Sequence, residues 1–225
     1  MPTKHREFGV PPAKLIEKYS KKKGSFYAYY PMNGLWTEDV GDKNYSEAID
    51  SIFQDDPKKS IALYIHFPFC ETQCLFCHCF TIISKNKKDH DKIINYIIRE
   101  IELLKKICDA KGYNPNIKEI HFGGGSPSNL SDENFSRLFS AIRSLSASDK
   151  FDECALEIDP RYNVDKRKLH FYAEQGINRI SFGIQDFDKE IGKIVNRINS
   201  PEAIQKLITP EIRKIFDSVN FDLIY

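Results

Sequence analysis

Four cysteines, Cys70, Cys74, Cys77 and Cys79, fall within ten residues in the stretch YIHFPFCETQCLFCHCF at 64–80. A loop that only has to pack has no reason to choose small thiols over aliphatics at that density, so the run CxxxCxxCxC points to a metal site. Zinc is usually closed by four ligands from paired CxxC or Cys/His knuckles. The nearest complement here is three cysteines with His66 or His78, both of which read more simply as structural. Ferredoxin clusters take thiolates from CxxCxxC with a distant fourth cysteine. The wider first gap in this chain matches neither pattern.

Further polar residues recur at the ends of apolar runs. GGGSP at 123–127 follows one, Glu157 closes a second, Gln185 lies just past a third and Asp222 falls late in a fourth. Each has a plain structural reading. The glycines alone are a tight turn, Glu157 is a strand-end carboxylate for Arg161, and Arg197 is a surface helix charge. Tyr64 and Phe76 are aromatic enough to serve the core, although Phe76 sits inside the cysteine loop, where an apolar ring can pack on a planar base. Gln185 and Asp222 read as polar residues in buried strands, which need partners.

The elements that would position these groups alternate between strand and helix from residue 61 onward. IALYIHF reads as a strand buried on both faces of a parallel sheet, with the cysteine loop at its C-terminal end. A helix over 89–108 puts Ile94, Ile97, Ile101, Leu104 and Cys108 on one stripe. Residues 117–122 form a second strand running into the glycines. Ser131 is a predicted N-cap with Leu130 and Phe135 as a hydrophobic staple, ahead of a helical face made by Phe135, Leu138, Phe139, Ile142 and Leu145. CALEID is strand three, and a helix from about Asp165 ends at Gly176. INRISFGIQ is strand four, with a helix around 191–195. Ser200 and Pro201 open another helix that Pro210 interrupts, and VNFDLIY is strand five. Such alternation predicts a parallel α/β fold, open or barrel-like, with ligands at the carboxyl ends of the strands. All the candidate polar groups gather at that one rim.

Residues 1–58 read as an irregular, partly helical arm on a core at 59–225. Short helices are expected around Leu15, Ile16 and Tyr19, and over 45–53 with a cap near Asn44 or Ser46. The basic run at 21–24 is a solvated loop. Phe26, Tyr27, Tyr29, Tyr30, Pro31 and Trp36 are too apolar together to face water. At 225 residues, 41% hydrophobic and 29% charged, the chain can bury a sizeable core. A net charge of +1 gives no electrostatic footprint for nucleic acid. No apolar run approaches the ~20 residues of a membrane span, and the first residues lack a signal-peptide core. A cytoplasmic protein is expected. Six cysteines, four of them clustered, suit a compartment that keeps thiols reduced, with Cys108 and Cys154 as buried free thiols.

YIHFPFCETQCLFCHCF, GGGSPSNL, LEIDPR, GINRISFGIQDFDKEIGKIVNR and FDLIY, in this order, resemble the oxygen-independent coproporphyrinogen III oxidase group of radical S-adenosylmethionine (SAM) enzymes. LIEKYS and FYAYYP extend the resemblance into the arm. It implies a partial parallel (βα) barrel in which Cys70, Cys74 and Cys77 bind three irons of one 4Fe-4S cluster, leaving the fourth iron open to SAM. Cys79 is the group's additional, non-ligating cysteine. Up to two SAM molecules are implied, the first touching Tyr64, Gly124 and Glu157, the second Phe76, Gly125, Ser126, Gln185, Arg197 and Asp222. The glycine amides would bond the methionine part of SAM, and Glu157 the ribose hydroxyls.

The implied chemistry is oxidative decarboxylation. A 5′-deoxyadenosyl radical removes hydrogen from the β-carbon of a substrate propionate, carbon dioxide and one further electron leave, and a vinyl group remains. Two rounds convert coproporphyrinogen III to protoporphyrinogen IX in heme synthesis, with a low-potential electron donor as partner. Related radical SAM methylases, heme-degrading enzymes and heme chaperones are the alternatives, and the last generally lack the fourth cysteine. Phe26 in place of an arginine, Ser126 in place of threonine and HCF in place of GCN depart from the oxidase pattern and bear on the substrate. Because the group continues past strand five with a GLP-type loop and more, these 225 residues are expected to be part of a longer enzyme lacking some of its substrate cavity.

Overall fold

The structure, a computed structural model, describes residues 12–20, 37, 39–162 and 164–224. The aromatic cluster at Phe26, Tyr27, Tyr29, Tyr30, Pro31 and Trp36, the basic run at 21–24 and Tyr225 lie outside the described residues. The chain divides into two compact units, Met1–Tyr45 and Ser46–Tyr225. The first contains α1 (Ala13–Ser20), in which Leu15 is about half exposed. Helix α2 (Asp42–Phe53) begins earlier than the predicted 45. Gly41 opens it, since its carbonyl accepts the Tyr45 N–H at 3.1 Å and its own N–H donates to Asn44 Oδ1 at 3.1 Å. Asn44 thus serves from inside the first turn, reaching back as the third residue of a capping box does.

The second unit is built on five parallel strands, β1 (Ser60–Phe67), β4 (Asn116–Gly124), β5 (Glu153–Ile158), β6 (Arg179–Gln185) and β7 (Ser218–Leu223). They pair in the order β1-β4-β5-β6-β7. A strand order that never reverses is barrel-type winding, unlike a doubly wound sheet, whose order reverses at a switch point. Between the strands run α3 (Lys87–Lys111), α4 (Asp132–Leu145), α5 (Lys166–Gln175), α6 (Lys189–Ile194), α7 (Pro201–Leu207) and α8 (Pro210–Ile215). A two-residue parallel ladder, β2 (Phe69–Cys70) with β3 (Ile82–Ile83), brackets the cysteine loop.

Local chemistry sets the helix ends. Ser131 Oγ accepts the Asn134 N–H, and the staple residues Leu130 and Phe135 are both buried. Asp165 caps α5, which closes at Gly176 with φ 108°. Pro210 divides the last helical stretch, with Thr209 capping the second piece.

Alternation along the strands separates two faces. On β6, Ile180, Phe182 and Ile184 are fully buried, whereas Arg179, Ser181, Gly183 and Gln185 are half-buried. The buried face meets the apolar stripes of α3, α4 and α5 in one continuous core. Phe135 lies at its centre, with ring centroids 5.0 Å from Tyr172 and 5.2 Å from Phe122. Burying one such side chain stabilises the fold by about 1.5–3 kcal/mol. Strand β1 is not the doubly buried strand its apolar run suggests. Ala62 and Tyr64 are exposed, and only Ile65 and Phe67 are buried, because β1 pairs with β4 alone and the core covers one face.

Candidate active site

The cysteine loop is fixed at both of its shoulders. Ile82 N–H donates to Pro68 O at 2.7 Å and Ser84 N–H to Cys70 O at 3.0 Å, which closes the loop's base. The chain leaving β4 lies directly on that base, with Gly125 N–H donating to Phe67 O (2.7 Å) and Ser126 N–H to Phe69 O (2.9 Å). The glycine run has a steric reason here. A Cβ at Gly125 would stand 2.7 Å from Phe69 O, and one at Gly124, where φ is 107°, would stand 2.6 Å from the His66 ring. At the far shoulder, Leu75 N–H donates to Val195 O (3.0 Å) and Asn196 Nδ2 to Gln73 O (2.7 Å). The loop is therefore tied to the end of β4 and to the turn after α6.

One cleft at the C-terminal ends of the strands is lined by Cys70, Cys74, Cys77 and Cys79 together with Phe76, Gly124, Gly125, Ser126, Glu157, Gln185, Arg197 and Asp222. Of the residues that the resemblance implies for the cluster, the fourth cysteine and SAM, only Tyr64 is not in that lining. It is 56% exposed, so it is no core residue. Its hydroxyl and His66 Nδ1 are 3.0 Å apart, and its ring stacks on His121 at 5.8 Å. His66 also bonds Phe80 O through Nε2 (2.9 Å), a structural tie across the loop. Phe76 is half-buried at the cleft and likewise outside the core.

Several pairings differ from the plain readings. Glu157 does not pair with Arg161. Its Oε1 meets His121 Nε2 at 3.0 Å and its Oε2 accepts the Gly124 N–H at 3.2 Å. That carboxylate bond raises the His121 pKa, against the opposing effect of partial burial. Arg161 instead grips Asp159, Nη2 to Oδ2 at 2.7 Å and Nε to Oδ1 at 2.9 Å. Arg197 is no surface charge. At 9% exposure it donates to Gly183 O, to Asp159 Oδ2 (3.1 Å) and to Cys74 Sγ (3.4 Å). Asp222 is exposed, not buried, because β7 is the last strand of the sheet, and it accepts from Ser181 Oγ at 3.0 Å and Asn220 Nδ2 at 2.8 Å. Gln185 ends β6 at φ 69°, beside a register shift against β7. Asp159, Arg161 and His121 were not legible as site residues. DPR carried a usable signal for the first two, since an Asp before Pro tends to bond its own backbone two residues on, as Asp159 Oδ1 does with Arg161 N–H at 3.1 Å.

The thiols differ in environment. Cys74 is buried, Cys70 and Cys77 are half-buried and Cys79 is exposed at the cleft mouth. Desolvation raises the Cys70 pKa, partly opposed by Ser126 Oγ at 3.6 Å. Cys79 is pushed up to about 11, first by desolvation and then by the neighbouring Cys77. Away from the cleft, burial pushes Cys154 up to about 12 and also raises Cys108, as befits inert core thiols. Among the described residues, no three His, Cys, Asp or Glu side chains converge as ligands of one metal ion would.

The family model of the radical SAM superfamily matches residues 64–217. The chain belongs to the radical SAM superfamily. A 4Fe-4S cluster and SAM follow from that membership, and the cleft fits a cluster. Four soft thiols share one lining, and the most buried of them sits against two guanidiniums that would offset a cluster's negative charge. Among curated relatives, oxygen-independent coproporphyrinogen III oxidase from Synechocystis is 36% identical over 214 residues, covering 95% of this chain and 44% of the relative. The enzymes of the same name from Escherichia coli and Helicobacter pylori are 31% and 33% identical over 94% and 93% of this radical SAM chain. The solved structure of coproporphyrinogen III oxidase from Escherichia coli matches with a TM-score of 0.76 at 32% identity, over 89% of this chain and 44% of that one. The chain thus spans less than half the length of these relatives. No helix among the described residues is long and apolar enough to cross a membrane.

Proposed function

We propose that this chain carries the radical-generating part of an oxygen-independent coproporphyrinogen III oxidase acting in the cytoplasm, with residues 59–225 as the catalytic core and 1–58 as an N-terminal arm. One observation carries the reading: the loop cysteines, the glycine run and the polar residues from three later strands line a single cleft at the strands' C-terminal ends. Cys70, Cys74 and Cys77 hold the cluster. When bound, that cluster supplies to SAM the electron that starts hydrogen removal from a substrate propionate.

The remaining roles belong to side chains of this chain. Glu157, steadied by His121 and the Gly124 amide, presents its carboxylate to ribose hydroxyls. Gly124 and Gly125 let the His66 ring and the Phe69 backbone come closer than any Cβ would allow, which holds the loop base against the end of β4. In this structure their amides bond Glu157 and Phe67 O, so a ligand that uses the Gly124 amide has to compete with Glu157 for it. Tyr64, stacked on the His121 that holds Glu157, orders the first SAM position. Phe76, Ser126, Gln185, Arg197 and Asp222 line the space for a second SAM. Cys79, at the mouth and held as a thiol at neutral pH, is the cysteine free to meet substrate. A low-potential electron donor completes the system. Anaerobic incubation of the reconstituted full-length protein with SAM, a reductant and coproporphyrinogen III, followed by mass analysis, tests the proposal. Loss of two carboxyl groups as vinyl products is expected. Methylated product, or stable heme binding without turnover, overturns it.

A further inference from the structure

Of the three ligand thiols, only Cys74 is built into a buried charge cluster. Its sulfur accepts from Arg161 Nη2 at 3.5 Å and from Arg197 Nη1 at 3.4 Å. Both guanidiniums share Asp159 Oδ2, at 2.7 and 3.1 Å. All three charged side chains are nearly shut off from water, with Asp159 6% and Arg161 12% exposed. Two cations against one carboxylate leave one positive charge uncompensated, an expensive state in a buried site. A metal-bound thiolate at Cys74 closes that balance.

The cluster is also mechanically tied to the loop. Arg161 Nη1 donates to Asn196 O (3.3 Å), and Asn196 holds Gln73 O, the residue before Cys74. Asp159 is fixed from behind, its N–H donating to Ser128 Oγ at 3.3 Å.

We infer that Arg161 is a positioning residue which, with Asp159, holds Cys74 in place before the cluster arrives and sets the cluster's reduction potential once it is bound. This rests on the assignment of Cys74 as a ligand in the proposed function. Hydrogen bonds to ligand sulfur and the net charge nearby are among the protein's means of setting such a potential.

The test uses the full-length protein. In reconstituted Arg161→Gln the cluster midpoint, followed by electron paramagnetic resonance, is expected to move negative. Asp159→Asn, which removes a negative charge at nearly constant shape, moves it positive, and Arg161→Lys restores most of the shift. General loosening of the loop would not give opposite signs. Without iron, amide exchange across 73–77 is expected to be at least several-fold faster in Arg161→Gln than in the parent, with β5 and β6 unchanged. Identical midpoints together with identical exchange overturn the inference. A parent protein that takes up no iron counts against the proposed function, and the iron-free exchange then decides on the clasp alone. If Arg161→Gln does not fold, the Asp159→Asn midpoint decides, and a shift that is not positive overturns the inference.

Discussion

The two faces of the sheet use the same strands for opposite purposes. Ile180, Phe182 and Ile184 meet the core, while Ser181, Gly183 and Gln185, interleaved with them, line the cleft. A second pair of positions makes the contrast with one residue type. His90 is 2% exposed against Phe67 and Phe69, with ring centroids at 5.2 and 5.1 Å. His121 is half-buried and bonded to Glu157. One face withholds charge and carries the stability. The other carries the charged side chains of the cleft, from the half-buried Glu157 to the buried Asp159 and Arg197.

The sharpest way to break this contrast is at the thiols. Alanine at Cys70, Cys74 or Cys77 should abolish the roughly four irons of a reconstituted cluster, whereas Cys79→Ala should keep them; iron analysis and circular dichroism should find all four variants folded. On the core face, Phe135→Ala should cost about 3–5 kcal/mol in denaturant unfolding, while the protein that remains folded still binds iron. A smaller effect is expected at Glu157. Glu157→Ala should weaken SAM binding by about 1.5–3 kcal/mol, the scale of a hydrogen bond to a charged group, with iron content unchanged by calorimetry and metal analysis.

The smallest effect concerns pH, where the two histidines should act with opposite slopes. His121 has a raised pKa in the folded protein, chiefly from Glu157. Its stabilising contribution is therefore complete below about pH 6.5 and is lost as pH rises through the folded value. Because the pair is partly exposed, less than about 1 kcal/mol is at stake. Burial lowers the pKa of His90. Below about pH 6.5 the unfolded chain takes up the proton first, so stability falls with decreasing pH until the folded value is reached. Urea midpoints measured across pH 5–8 should lose the alkaline slope in His121→Gln and the acid slope in His90→Phe. If both slopes survive, these histidines do not distinguish the faces.

Much of this was legible because it is written in local code. The cap at Ser131, the stop at Gly176, the break at Pro210 and the cysteine spacing each depend on a few neighbouring residues. What escaped depends on which face a side chain takes and on what lies across the sheet. The apolar run of β1 does not tell that one of its sides meets no core. Glu157 and Arg161 are close enough in sequence to suggest a pair, yet Glu157 leaves the strand toward His121 while Arg161 turns back on Asp159. Arg197, on the turn after a six-residue helix, looks like any surface cation until the chain brings it beneath the cysteine loop.

That distance along the chain has a consequence during synthesis. Cys74 emerges from the ribosome 87 positions before Arg161 and 123 before Arg197. At roughly 5–20 residues per second, the second interval lasts on the order of 6–25 s. Throughout it the loop thiols are made but unclasped, open to oxidation and to whatever metal is at hand. A chain paused before Arg197 therefore presents its cysteines without the complete pair of arginines that bond the sulfur of the most buried of them.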